Sequence, residues 1–244
     1  MRKKDYYVLC AVLLFFAPFF LSDAVYQGYK SFNAQSPLLM AFGKFALLAT
    51  FGEVLGLRIK SGNYNAPGFG ILPRAIVWGV LGVWIAMALC MYKLGVPAYL
   101  ATFPRFAELP SAMAGGFSGM KLLGAFLISL ALNTSFAPVF MVLHKITDTH
   151  IAQCQGKMRF LLTPINFGEI LAQLNWRVQW GFVFKKTIPL FWIPAHNITF
   201  ILPCDWQVLF AALLGIALGL ILSIASLKSR SGPVLSGQPG MIGG

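Results

Sequence analysis

His144, Asp148 and His150, in the stretch HKITDTH, are the residues of this chain whose types and spacing come nearest to chemistry. An imidazole and a carboxylate together can ligate a metal ion or relay a proton. On a helix His144 and Asp148, four positions apart, share one face, while His150 points roughly away from Asp148. A metal centre needs more ligands converging there. A histidine–aspartate acyltransferase motif wants four residues between the two, and this chain has three. The expectation is therefore structural, with His144 and Lys145 meeting a helix C-terminus and lipid headgroups, and Asp148 capping the following segment.

Two further polar groups interrupt apolar runs. Asn133 sits among Thr134, Ser135 and Pro138, and the stretch KTIPLFWIPAHNITFILP carries Pro194, His196, Asn197 and Thr199. Pro189 and Pro194 each remove a backbone donor and free carbonyl groups in a solvent that cannot hydrate them. Either neighbouring side chains and water satisfy those groups or the helix borders a wet cavity. Asn133, Pro138, Pro194, His196, Asn197 and Thr199 thus read as polar contacts between helices or as the lining of a solute path. Only seven acidic residues are present, and none is paired within one apolar run. No enzyme is expected, and no cofactor or metal.

The elements that must position these residues follow from composition. Of 244 residues 58% are apolar and 11% charged, and the mean hydropathy is +0.74. Those values describe an integral membrane chain. An all-α polytopic transmembrane bundle is predicted as one domain over 1–227, with spans near 6–22, 36–57, 75–92, 122–143, 187–203 and 207–227. The first reads as a retained helix rather than a cleaved signal. The stretch 94–120, with prolines at 97, 104 and 110, reads as a loop with a short interfacial helix or a re-entrant segment. The Gly/Pro/Ser-rich stretch 228–244 reads as a disordered tail. Cys10, Cys90, Cys154 and Cys204 show no metal or disulfide spacing.

Charge supplies an independent test of this plan. With the N-terminus on the cytoplasmic-type side, fourteen of the 19 lysines and arginines fall in segments on that side, as short loops prefer. Both termini are predicted there. The formal charge of +12 is explained by attraction to anionic lipid headgroups, and no nucleic-acid partner is expected.

Ala211, Gly215, Gly219 and Ser223 recur every four residues and form one smooth stripe along a helix, and Gly52 and Gly56 offer a shorter version. Such stripes let another backbone approach closely. The neighbour is a helix of this chain, a second copy in a homo-oligomer, or another partner.

A resemblance is carried by the same region. APVFMVLHKITDTHI, from Ala137 to Ile151, resembles a segment of the Mpv-type family, which includes the 22-kDa peroxisomal membrane protein. Pro138, Lys145, Asp148 and Ile151 match, and His144 stands where an aromatic is usual. Asn175 and Trp176, then Trp192, Pro194 and Asn197, then Leu202 and Pro203 follow the family's order. His196 replaces its glutamine and Gln207 its arginine. The resemblance covers roughly 122–227. It implies a small helical protein of the peroxisomal or inner mitochondrial membrane that acts as a weakly selective channel; the compact plan suits a bacterial inner membrane equally. The expectation is a passive conduit for small solutes or ions. The alternative is a non-catalytic assembly protein whose glycine stripe binds a partner.

Overall fold

A computed structural model describes the backbone from Lys3 to Arg230, and the side chains of that range apart from Leu218 and residues 221–230. The side chain of Ser223 and the tail from residue 231 on lie outside the described residues. Every regular element described is helical. Among the described residues four helices are long and apolar enough to cross a membrane: Lys3–Leu21, Pro37–Ser61, Ile71–Leu100 and the broken rod Gly119–Gln153.

Helix α1 (Lys3–Leu21) buries no residue against the protein. It is pinned at its start, where Asp5 accepts from Arg58 at 2.8 Å and from Tyr64 at 2.8 Å. Ser22 caps α2 (Asp23–Gln35) by accepting from the backbone of Val25. This polar helix gives a partner to a lysine that sits inside an apolar run. Lys44 is buried, donates to Asn33 at 2.6 Å and lies 5.1 Å over the Tyr29 ring.

Helix α3 (Pro37–Ser61) starts with proline at its first position and stops at Gly62, whose φ of 78° no β-carbon favours. It is the hub of the bundle. Against it on one side lies α4 (Ile71–Leu100), where Gly82 leaves room for the Phe45 ring. On the other lies α11 (Cys204–Arg230). A β-carbon added to Gly52 would stand 2.8 Å from Cα of Ile216, and one added to Gly219 would stand 3.2 Å from the Gly52 carbonyl. The small-residue stripe therefore packs inside this chain.

After α4 a 3-10 turn (Pro104–Phe106) leads to the short α5 (Leu109–Ala114), which anchors wholly buried Leu109 beside Gly124 of α6 (Gly119–Ala131). A π-helical turn, Leu132–Phe136, joins α6 to α7 (Ala137–Gln153). After the 3-10 turn Met158–Leu161, α8 (Phe167–Gln173) and α9 (Trp176–Val178), a longer π-helical stretch, Gln179–Trp192, runs into α10 (Ile193–Ile201).

The π geometry answers the proline problem. Pro138 and Pro194 each stand at the start of the helix that follows a π segment. The wider turn moves the preceding carbonyls along by one residue, so the proline ring has no carbonyl to strike. Side chains also bond to carbonyls of this region: Ser129 donates to the Ile193 oxygen at 2.7 Å, and Thr187 to the Phe182 oxygen at 3.3 Å.

Several helices extend beyond the expected spans. The helix expected at 75–92 runs from Ile71 to Leu100, the rod expected to end at 143 continues to Gln153, and the one expected from 187 begins at Trp176. The expected limits fall at Arg74, at Lys93, at His144 before Lys145, and at Lys186. Arg74 and Asp148 stay within helices because they pair with one another, while Lys145, Lys185 and Lys186 lie on exposed faces.

Candidate functional site

Helices α3, α4, α7 and α11, with the π-helical stretch Gln179–Trp192 and His196 of α10, line a partly open cavity of about 540 Å³, within the range that holds small organic ligands. Its walls are mostly apolar, with Ile85 and Leu89 of α4, Phe136, Phe140 and Met141 of the π turn and α7, and Ala211, Gly215 and Gly219 of α11. Polar side chains enter at two levels.

The first level lies where α3 ends and α4 begins. Arg74 donates through Nη1 to Glu53 of α3 and, at 2.6 Å, to Asp148 of α7. Trp78 donates to the other Glu53 oxygen at 2.8 Å. His144 Nε2 lies 3.2 Å from that oxygen and 3.8 Å from Asp148. The imidazole packs against the Trp78 ring, with centroids 4.4 Å apart. All four charged or titratable groups line the cavity, which continues to the exposed Lys60 and Lys145.

This geometry overturns the expected roles of the HKITDTH motif. Asp148 does not cap a following segment, because α7 continues more than a turn beyond it and its carboxylate turns to Arg74. His144 meets Glu53 rather than a helix end. His150 is buried apart from them, near the Phe160 carbonyl at 3.1 Å. Carboxylates unpaired within any single run are thus brought together across two helices. Glu53, His144 and Asp148 offer ligand atoms within 4.8 Å of one another. The Arg74 guanidinium bonds to both carboxylates and supplies the cation that a metal would otherwise bring.

The second level lies deeper. Asn133 is wholly buried, with its amide nitrogen 3.0 Å from Nδ1 of His196 and 2.8 Å from the Ser129 carbonyl. Asn133 and His196 line the cavity, together with Trp192 and Thr187. Beyond them Phe45, Leu89 and Leu132 merge into a packed core with Ile128, Phe200 and Ala212.

The other expected path residues lie off the cavity. Pro138 and Pro194 shape helix starts, and Thr199 is wholly buried and donates to the Ala195 carbonyl at 3.0 Å. Asn197 has a buried side-chain oxygen without a hydrogen bond. Conversely, Glu53, Arg74 and Trp78 were missed as site residues. The available signal was Glu53 itself, an acid inside an apolar run long enough to cross a membrane, where an ionisable group is a functional candidate by default.

An all-helical protein with several helices compatible with membrane insertion, built around a partly polar internal cavity, is the class these features define. No protein-family model, curated protein or solved structure matches the chain.

Proposed function

We propose that this chain is an integral membrane protein that crosses the bilayer six times, with both termini on the lysine- and arginine-rich side, and serves as a passive, channel-like conduit for small solutes. The observation that carries the reading is the cavity of about 540 Å³ inside the bundle, lined by a charged cluster at one level and by Asn133 and His196 at the next. Buried polar groups in hydrocarbon are costly and are kept where they line a path or bind helices together. His196 and the charged cluster face open volume, which favours a path. Helix α1, with no residue buried against protein and with Phe20 and Leu21 about as exposed as side chains become, suits contact with lipid. The resemblance to the Mpv-type family points the same way.

The assembly alternative needed a free glycine stripe. Gly219 packs on Gly52 of α3 while Gly215 borders the cavity and meets only Ala49, which favours the conduit reading over a partner on this stripe.

Flux through reconstituted liposomes tests the proposal. Stopped-flow swelling with glycerol and acetamide should exceed that of protein-free vesicles. Gly215→Phe should reduce it several-fold, because a β-carbon there meets only Ala49 at 3.8 Å and the ring can fill the cavity. Flux no greater than in empty vesicles for every solute sinks the reading.

A further inference from the structure

The deep end of the cavity holds a hydrogen-bond donor that the protein itself does not use. The Asn133 nitrogen stands 2.8 Å from the Ser129 carbonyl and 3.0 Å from Nδ1 of His196. A carbonyl only accepts, so this corner of the amide is its NH₂ group. Nδ1 also lies 3.2 Å from the Asn133 Oδ1, and the Ser129 hydroxyl lies 3.2 Å from the amide nitrogen; the shorter contact, at 3.0 Å, assigns the second hydrogen to Nδ1. An imidazole that accepts at Nδ1 carries its hydrogen on Nε2. Among the described residues no hydrogen bond reaches that Nε2. Trp192 stacks on the imidazole, with centroids 5.2 Å apart and planes at 25°, and it also lines the cavity. It is 8% exposed, and its indole N–H has no partner among the described residues.

Both groups are neutral, the indole N–H being closed off from the open volume, and among the described residues no charged side chain lines the cavity at this level. His144 lies eleven positions along the rod from Asn133, roughly 16 Å at helical rise. Around the donors the walls are apolar, from Ile85, Leu89, Leu132 and Phe136. A carboxylate brought here would stand without a cation in apolar surroundings, at high cost. A ketone, ester or amide carbonyl needs only the donor.

We infer that the His196 end of the cavity is a binding subsite for the carbonyl oxygen of an uncharged solute with an apolar body, held by the Nε2–H that Asn133 orients. This rests on the cavity being a compartment for solute, and it names the solute's chemistry.

Photolabelling of the full-length protein in detergent with benzophenone, a neutral ketone that cross-links on illumination, tests it. Labelling should saturate and map to cavity residues such as Leu132, Met141 and Trp192. Diphenylmethane, which has the same shape without the carbonyl, should compete only at about tenfold higher concentration, the size of one buried neutral hydrogen bond. His196→Phe should raise the half-saturating benzophenone concentration by a similar factor, and His196→Gln, which keeps an N–H, should raise it less. Equal competition by diphenylmethane overturns the inference on the unaltered protein, so it does not depend on any variant folding. Labelling that never saturates or that spreads over lipid-facing helices also overturns it. Carbonyl-selective labelling without solute flux removes the conduit and leaves the subsite; flux with unselective labelling does the reverse.

Discussion

Arg74 of α4 donates to Asp148 of α7 at 2.6 Å, across 74 positions of sequence. With the bond to Glu53 of α3, this one guanidinium ties three helices together at the level where the cavity turns polar. The cluster is only partly exposed, at 12% for the Arg74 side chain and about 20% for both carboxylates. Such a network is strongly coupled, because losing the central cation leaves the acids to face one another.

Replacing that cation is therefore costly. Arg74→Gln should destabilise the bundle by about 3 kcal/mol, since it strands two half-buried carboxylates. Thermal unfolding in detergent measures the loss. Adding Glu53→Gln to the same chain should recover part of it, and an unchanged midpoint in the single variant would show that the bridge contributes nothing.

The contact between α3 and α11 makes a steric prediction. Gly52→Val should cost about 2 kcal/mol or more, because backbone at Ile216 cannot move aside for a β-carbon. Gly43 on the same helix has nothing within 4 Å, so Gly43→Val should be near neutral. Equal effects in paired unfolding measurements would refute the packing.

Lys44 and Asn33 should respond unequally. Asn33→Ala leaves a buried ammonium without its oxygen and should cost about 2 kcal/mol, whereas Lys44→Met removes charge and need together and should cost little. The order of the two thermal midpoints decides the matter. Lys44→Met as the worse variant would contradict the pairing.

Asn133→Leu should lower stability by about 2 kcal/mol, because the His196 Nδ1 loses its donor inside the bundle and the Ser129 carbonyl keeps only the Leu132 backbone N–H. It should also free the imidazole to turn, which ¹⁵N NMR of labelled histidine would register as loss of a single tautomer. A spectrum unchanged from the parent chain would show that Asn133 does not orient His196.

Local chemistry already determined much of this protein. Composition and the length of apolar runs required helices of membrane-crossing size, because a backbone in hydrocarbon must satisfy its own hydrogen bonds. The four-residue repeat of Ala211, Gly215 and Gly219 marked a face made for close approach, and Asn133 and His196 stood out as polar groups in apolar runs. Their joint position at one level of one cavity could be guessed but not established from spacing. Several helices outrun the expected spans at a charge, as at Arg74, since a lone charge looks like a boundary until its partner is known, although the span over 36–57 kept Lys44 and Glu53 inside it. The partners of Lys44, Glu53, Arg74 and Asp148 lie on other helices. Only tertiary packing brings such side chains within hydrogen-bonding distance. It also decided which neighbour the glycine stripe receives, and that a cavity stays open between α3, α7 and α10, because volume left between helices depends on how all of them pack at once and is written in no single segment.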